Sequence, residues 1–346
     1  MKHYFKLDLL SDGIIGMTTF TNMTIDDLKH GAGTELSAQF GLIRATGVDA
    51  RSFLHAQLTQ DVLNLGANET KLAGYCSAKG RLFAVLQMYA MGDDVFLVTH
   101  RQLVELLVKR LKMFVLRSKV VIEDVSGAHR ISGVVGDACL AQGVAEMSDQ
   151  VQRLGLLPAW VNGVSVAREL LITSAETDEV IGGAHIAFEL DVGVEGWQWL
   201  AIEAGEGLVE AATLEAFVPQ MINLDRIGGV NFKKGCYPGQ EVVARSHYLG
   251  KLKRRMQLVQ LHFDEAAHAQ AAVMNMPAKT DVYSSLDTSQ PIGVVVMAAV
   301  NLLDQRLLNA LVEVSLPMLK SEASEAVLSI NGNEAVLQPL PYGLSD

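Results

Sequence analysis

The segment Lys234-Gly-Cys-Tyr-Pro-Gly-Gln-Glu-Val-Val-Ala-Arg245 carries the most informative pattern of this 346-residue chain. Gly235 and Gly239 allow backbone angles that other residues avoid, and Pro238 favours an extended conformation at the residue before it. The segment is therefore predicted to form a shaped turn that holds Cys236 in one position.

Cationic residues surround Cys236 in the sequence. Lys233 and Lys234 precede it and Arg245 follows it. Nearby cations favour the thiolate, which is the form that attacks electrophiles, exchanges disulfides and binds metals. The segment thus indicates a reactive thiol. The alternative is a small buried apolar side chain, as many free cysteines are, and the segment alone leaves both open.

The composition is that of a folded soluble protein with a substantial core. Hydrophobic residues make up 49% of the chain, and its length predicts two or three compact units. The longest apolar runs, such as residues 293–300, are far shorter than the roughly eighteen residues that span a bilayer. Residues 1–20 show neither a secretion nor an organelle-targeting pattern. No membrane partner is expected.

The three cysteines are widely spaced, odd in number and without a CxxC pair: Cys76, Cys139 and Cys236. This usage argues against a disulfide framework and against a zinc site, and it favours a reducing cytoplasm. Closed metal sites normally need three or four ligands. No stably bound metal is expected.

The net charge of −11 should repel nucleic acid on average, so that contact with RNA would need a local basic face. The only dense basic run is Lys251-Leu-Lys-Arg-Arg255. A solvated strand or turn explains that run at least as well. Direct nucleic-acid binding is therefore not expected.

The first part of the chain predicts an α+β lobe. Residues 41–46 read as a strand, and Asp49 is placed to cap a helix after it. Residues 81–89 and 95–98 read as a hairpin, and leucines at helical spacing predict a helix over 102–117. The β-branched run at 120–122 returns as a strand.

A second α+β lobe is predicted to follow, with strands at 131–135, 164–168 and 170–173, a helix after Asp137, and a helix over 195–204 that ends at Gly205. Short alternating segments from residue 252 onward predict a small antiparallel barrel. The predicted units are 1–126 with an N-terminal arm, 127–250, 251–340 for the barrel, and a tail at 341–346.

The stretch Phe232-Lys-Lys-Gly-Cys-Tyr-Pro-Gly-Gln-Glu241, with Arg245, resembles the signature of the YgfZ family of folate-binding proteins. Further matching segments occur in the order that this family shows: Gly47-Val-Asp-Ala50, Gln57-Leu-Thr-Gln-Asp-Val62, Ala78-Lys-Gly-Arg81, Ile202-Glu-Ala-Gly205 and Pro219-Gln220. The resemblance spans about residues 38–340. It implies the three-domain, ring-like fold of the related glycine cleavage aminomethyltransferase (T protein), a tetrahydrofolate site near its centre, and a role in maintaining iron-sulfur enzymes, including some that modify tRNA.

The resemblance also implies the site residues. Cys236 would be the reactive group, with Lys234 and Arg245 beside it, and Tyr237, Gln240 and Glu241 would belong to the folate-binding set. Whether the thiol is a nucleophile, a redox group or a transient ligand stays open. His247 is the histidine closest to Cys236 in the sequence, but no spacing supports a Cys-His pair, and His55 and Cys76 have no evident partner.

Glu203 matches an acidic position of the folate-binding relatives, and one carboxylate can accept both hydrogen bonds that a pterin offers side by side. The alternative is a solvent-side glutamate at a helix end. Ala201 stands where relatives often have arginine, so Arg245, Lys234 or Lys251 is the candidate for holding the glutamate tail. Trp197 is a candidate to stack on the folate rings, but Trp199, two residues further on, points in a different direction.

Two other functions are considered. An active aminomethyltransferase would need a carboxylate near the folate, yet Phe83 and Ala84 stand where the T protein has an aspartate pair, and neither can exchange a proton. Asp61 and Asp93 do not evidently replace it. The other is a non-catalytic adaptor for client proteins. The favoured function is a cytoplasmic tetrahydrofolate-binding accessory factor for iron-sulfur client enzymes.

Overall fold

The computed structural model describes residues 23–148, 151–175, 190–248, 252–319 and 327–344. Within these ranges the chain forms two five-stranded antiparallel sheets, a two-stranded ribbon, a closed six-stranded barrel and six α-helices. The predicted α+β class and the predicted C-terminal barrel are both confirmed. No helix in the described ranges is both long and apolar enough to cross a bilayer.

The first sheet has the strand order β3-β4-β5-β2-β6. Its strands are β2 (Phe40–Thr46), β3 (Lys71–Cys76), β4 (Leu82–Met91), β5 (Asp94–His100) and β6 (Val121–Asp124), with helices α2 (Ala50–His55) and α3 (Val104–Phe114) in the connections. The predicted hairpin is confirmed, because Met91 pairs with Asp94 across a two-residue turn. Gly92 supplies the positive φ of 58° in that turn.

Two predictions in this lobe need correction. Helix α3 ends at Phe114 and not at residue 117, because Val115 leaves the helical region with ψ at 81°. Asp49 precedes α2 but makes no side-chain cap. Its carboxylate accepts a hydrogen bond of 2.7 Å from the backbone N–H of Lys119 instead, and so holds the turn before β6.

The second sheet has the order β1-β7-β12-β9-β8. Its strands are β1 (Ala32–Glu35), β7 (His129–Val135), β8 (Ala145–Met147), β9 (Val151–Gly155) and β12 (Arg168–Ser174); β10 (Ala159–Val161) and β11 (Val164–Val166) form the ribbon. Helix α1 (Ile25–His30) leads into β1, and its first turn is closed by a capping box between Thr24 and Asp27. Strand β1 therefore joins a sheet whose other strands all lie beyond the predicted boundary at 126/127.

The helix predicted after Asp137 is wrong, because residues 137–142 form turns and irregular backbone. This loop lies against the backbone of Gly155 so closely that a Cβ there would be 2.0 Å from the carbonyl oxygen of Ala141. Gly136 and Gly143 frame the loop with positive φ values of 134° and 80°. A helix with side chains all round would not fit this approach.

The barrel closes in the order β13-β16-β15-β14-β17-β18. Its strands are β13 (Arg254–His262), β14 (Asp281–Ser284), β15 (Gly293–Val300), β16 (Leu307–Ser315), β17 (Leu328–Ile330) and β18 (Asn333–Gln338), and α6 (Ala266–Met274) connects β13 to β14. Its interior is a separate apolar cluster that includes Val259, Leu308 and Val312. Closure leaves no open sheet edge to be protected.

Helix α4 (Gly193–Glu203) lies where the three units meet, in contact with β1, β10, β15 and β16. Gly205 follows it with a positive φ of 66°, which agrees with the predicted glycine stop. Buried side chains of both sheets, α4 and the barrel strands β13 and β15 belong to one continuous apolar core. The helix is therefore the central packing element of the molecule.

Candidate functional site

The Cys236 segment forms the predicted irregular turn, and helix α5 (Gln240–Tyr248) begins immediately after it. Gly239 has φ at 80°, and a Cβ on it would lie 2.4 Å from the carbonyl oxygen of Ser77 and 2.5 Å from Cα of Gly80. Gly80 also has a positive φ, of 72°. Two motifs that are remote in the sequence thus meet backbone against backbone, and glycine is required at the contact.

The approach to the turn is fixed by the loop after α2. The hydroxyl of Thr59 donates to the carbonyl of Gly229 at 2.6 Å and accepts from the N–H of Gly74 at 2.6 Å. The amide of Gln60 donates to the carbonyl of Gly228 at 2.7 Å. A third matching segment, residues 57–62, is therefore built into the same site.

Lys234 connects the turn to the end of α2. Its ammonium donates to the carbonyl of Leu58 at 2.7 Å and to the carbonyl of His55, and it lies 5.0 Å from the centre of the Tyr237 ring. Burial lowers the pKa of Lys234 to about 8, although Asp61 and Cys236 act in the opposite direction. Two of its three N–H donors are used on fixed carbonyls, so Lys234 anchors the turn as well as placing a positive charge near the thiol.

Cys236 is the exposed thiol of the three, whereas Cys76 is buried and Cys139 is partly buried. Burial raises the pKa of Cys76 to about 12, and burial together with the charge of Glu169 raises the pKa of Cys139 to about 12. A thiol with so high a pKa reacts poorly at neutral pH. The structure therefore leaves Cys236 as the accessible cysteine.

His55 lies beside an acidic partner that the sequence did not reveal. Its Nδ1 lies 3.1 Å from Oδ1 of Asp61, and its Nε2 would be 3.7 Å from a Cβ placed on Gly235. Burial and the cation of Lys234 lower the pKa of His55, while Asp61 opposes them. Because His55 and Gly235 are 180 positions apart, no local spacing could have indicated this proximity.

The other motif residues surround the turn. Tyr237 is buried beneath it, and burial raises the pKa of its hydroxyl. Gln240 is half-buried at the start of α5, while Glu241 and Arg245 are exposed on that helix. His247 stacks on Phe232 with ring centres 3.8 Å apart, so its ring packs on the entry to the turn.

A second candidate site is a central cavity where the two sheets, α4 and the barrel meet. The cavity has a volume of about 80 Å³ and opens to solvent. One face of α4 lines it with Val194, Trp197, Gln198 and Ala201, and Met297 of the barrel closes one side. No described residue of the Cys236 turn is part of this lining, so Trp197 and the Cys236 turn lie in separate places.

Arg168 is a charged residue of the cavity that sequence reasoning missed. It is 1% exposed, and its guanidinium pairs with Glu206 at 3.0 Å and lies 4.9 Å from the Trp197 ring centre. Its Nε has no hydrogen-bond partner among the described residues, and the same holds for Nδ1 of His100, which also lines the cavity. The sequence held one signal for this residue: an arginine stands at the start of the apolar strand β12. A cation that is buried there needs a partner, so its position indicates a polar site.

Glu203 lies on the face of α4 that points away from the cavity. It is 8% exposed, and its Oε1 has no hydrogen-bond partner in the described ranges. Burial raises the pKa of Glu203 to about 7, while the indole N–H of Trp199 acts in the opposite direction. Trp199 packs on this side too and donates to Oδ1 of Asn309 at 3.2 Å. Trp197 and Trp199 thus have different environments.

Two cations of the basic run 251–255 at the start of the barrel are engaged in ion pairs. Arg255 is buried and bonds both carboxylate oxygens of Asp225 at 2.7 and 2.9 Å, and Arg254 pairs with Glu313. Lys251, a candidate for the glutamate tail of folate, lies outside the described residues.

Comparison with solved structures identifies the architecture. The chain superposes with a TM-score of 0.58 on the crystal structure of the glycine cleavage system aminomethyltransferase T from Bartonella henselae, over 92% of this chain and 88% of that one. Sequence identity is 12%, so the likeness concerns the fold alone. The predicted T-protein-like fold is confirmed.

Comparison of sequences identifies the family. A scan against protein-family models finds no match. The chain is 30% identical over 319 residues to the tRNA-modifying protein YgfZ of Cronobacter sakazakii, covering 89% of this chain and 92% of that protein. It is 29% identical over 341 residues to the protein of the same name from Shigella sonnei, covering 94% of each. With this similarity along nearly its whole length, the chain belongs to the YgfZ family.

Proposed function

We propose that this protein binds tetrahydrofolate and supports the assembly or repair of iron-sulfur clusters in client enzymes, including tRNA-modifying enzymes, with Cys236 as its reactive group. The observation that carries the proposal is the exposed thiol on a turn fixed by three separate segments. Relatives named as tRNA-modifying proteins supply the biological context. The proposal places the protein in the cytoplasm, where thiols stay reduced.

The central cavity suits a folate better than the Cys236 turn does. It is lined mainly by apolar side chains, with a few polar groups that converge on it, as small-ligand sites usually are. Trp197 offers a ring on which a folate ring can stack. Nδ1 of His100 and Nε of Arg168 are buried polar atoms without a hydrogen-bond partner among the described residues, and a bound ligand could supply one. When bound, tetrahydrofolate would supply a carrier for one-carbon units.

At the Cys236 turn, the chain's own residues can prepare the thiol. The ammonium of Lys234 places a positive charge near Cys236, and Asp61 and His55 lie beside the same turn. Solvent exposure of Cys236 allows a protein client to approach it. Chemistry on a client is thus separated in space from the folate cavity.

An active aminomethyltransferase is less well supported. Phe83 and Ala84 are buried in β4, and the guanidinium of Arg110 lies 3.7 Å from the Phe83 ring centre. The pair therefore belongs to the packing of the first sheet, where it supplies no carboxylate. A pure adaptor remains the competing function, and it differs by making Cys236 dispensable.

The test combines a cellular and a binding measurement. A strain that lacks the protein is rescued with wild-type chain, Cys236→Ser or Cys139→Ser at matched expression, and the product of an iron-sulfur-dependent tRNA-modifying enzyme is quantified. We expect Cys236→Ser to fail and Cys139→Ser to rescue, with both variants binding tetrahydrofolate like wild type. Full rescue by Cys236→Ser would refute the thiol role, and absence of binding to purified wild-type chain would refute the folate role.

A further inference from the structure

A cationic surface lies at the carboxyl end of α3 and in the turn that follows. Residues 106–122 contain five cations and no acid, within a chain of net charge −11. Arg110 folds inward over Phe83. The other four are exposed, and none is ion-paired with a described residue: Lys109, Lys112, Arg117 and Lys119. These four, with the apolar side chains between them, are called the α3 basic surface.

Large apolar side chains are exposed between these cations. Leu116 is 86% exposed, Met113 57% and Phe114 46%. The surface extends to Val48, because the neighbouring Asp49 exchanges hydrogen bonds with the backbone of Lys119. Several apolar groups exposed together on a soluble protein usually mark an interaction site.

The arrangement favours RNA over a lipid surface. A helix that lies in a membrane interface presents one continuous apolar face, but the apolar face of α3, with Val104, Leu107 and Leu111, is buried in the core. On the exposed side, the apolar residues 113–116 are flanked by Lys112 before them and by Arg117 and Lys119 after them. Single-stranded RNA presents the complementary pattern, because phosphates attract cations and unstacked bases pack on aromatic rings.

We propose that the α3 basic surface binds RNA, with its cations on backbone phosphates and Phe114 stacked on an unpaired base. The choice of a tRNA as the probe rests on the proposed function, whereas the surface itself does not. This inference replaces the expectation of no direct nucleic-acid contact. That expectation considered only residues 251–255, where Arg254 and Arg255 are committed to ion pairs.

The experiment is fluorescence anisotropy with a labelled, unmodified tRNA transcript, titrated with purified full-length chain at several KCl concentrations. Four phosphate contacts predict that the logarithm of the affinity falls against the logarithm of the salt concentration with a slope of about −3. Lys112→Gln with Arg117→Gln should reduce that slope to about half. Phe114→Ala should lower the affinity about tenfold and leave the slope unchanged.

The matched control is Lys253→Gln with Lys279→Gln, which removes the same charge from exposed positions outside the α3 basic surface. It should bind the transcript like wild type, and all variants should keep the wild-type melting temperature. Equal weakening by the control, or no salt-dependent binding by wild type, would overturn the inference. So would vesicles of phosphatidylethanolamine and phosphatidylglycerol that bind through these residues while the transcript does not.

Tetrahydrofolate binding is measured on the same samples. A wild-type chain that binds the transcript but not tetrahydrofolate would refute the folate proposal and leave the RNA surface standing. The reverse result would refute the RNA surface alone.

Discussion

Glu203 carries an ionisable group in an apolar environment without a full set of partners, and this makes stability depend on pH. Its folded pKa of about 7 lies above the ordinary value of 4.5, because burial disfavours the charged form. The native state therefore binds the proton more tightly than the unfolded chain does. The contribution of Glu203 to the unfolding free energy is fully present below pH 4.5 and is lost as the pH rises through 7.

Glu203→Gln should remove that loss. Relative to wild type, the variant should gain about 2 kcal/mol of unfolding free energy between pH 5 and pH 8. Urea denaturation at the two pH values measures the difference. If the unfolding free energies of wild type and Glu203→Gln changed in parallel with pH, the Glu203 carboxyl would be solvated or hydrogen-bonded in the native state.

Arg168 and Glu206 form a buried ion pair in the central cavity. Glu206→Gln leaves the guanidinium buried without its counter-ion, and such changes cost about 3 to 5 kcal/mol. Arg168→Met combined with Glu206→Gln should recover much of that loss, because no charge is then left unpaired. Denaturant titration of the single and the double variant should show that the double variant is the more stable of the two. A single variant that is as stable as the double variant would contradict this prediction.

Among the elements, the Cys236 turn depends on the contact between Gly239 and Gly80. Gly239→Ala places a Cβ 2.4 Å from a carbonyl oxygen, in addition to an unfavourable positive φ. The control is Gly332→Ala in the β17–β18 turn, where φ is 81° and no atom lies within 4 Å of the added Cβ.

The control should cost about 1 kcal/mol from backbone strain alone, and Gly239→Ala about 2 kcal/mol more. Both can be measured by urea denaturation. Iodoacetamide labelling of Cys236, followed by mass spectrometry, should change in Gly239→Ala and stay at the wild-type rate in Gly332→Ala. Equal losses of stability in Gly239→Ala and Gly332→Ala would mean that the loop at Ser77 moves aside for the added Cβ at little cost in free energy.

Local patterns predicted the elements where one periodicity dominates. The β4–β5 hairpin and the barrel strands follow from alternation and turn residues, and α4 follows from its glycine stop. The helix after Asp137 failed because tertiary contact with Gly155 demands a close backbone approach, which no local propensity records. In the same way, α3 stops early because the chain must turn toward β6.

The candidate site was predicted in part for the same reason. The motif around Cys236 is contiguous and therefore visible, but His55, Asp61 and Arg168 reach their sites only through the fold. The α3 basic surface was not predicted, because the sequence alone does not show which of the five cations in residues 106–122 are exposed and which one packs inside the protein.

At the scale of the whole molecule, the barrel is joined to the lobes by a buried ion pair. Arg255 at the start of β13 binds Asp225 in the segment before the Cys236 turn, and Asn223 donates to the carbonyl of Met256 at 2.9 Å. Arg255→Met should leave Asp225 buried without a counter-ion and weaken the connection. Differential scanning calorimetry should then show the barrel unfolding in a separate transition.

Arg254→Met is the matched control, since its partner Glu313 lies within the barrel on β16. It should lower the stability of the barrel without separating the transitions. A single cooperative transition in Arg255→Met would mean that the shared apolar core alone holds the units together.

Strand β1 has a consequence for how the chain is made. It leaves the ribosome about a hundred residues before β7, the neighbour that it pairs with, so the sheet stays unfinished while the intervening lobe is synthesised. A fragment that starts at residue 127 would expose the vacant side of β7, and vacant strand edges recruit other chains. Expression of residues 127–250 alone should therefore yield aggregates, and co-expression with a peptide covering 23–37 should improve solubility.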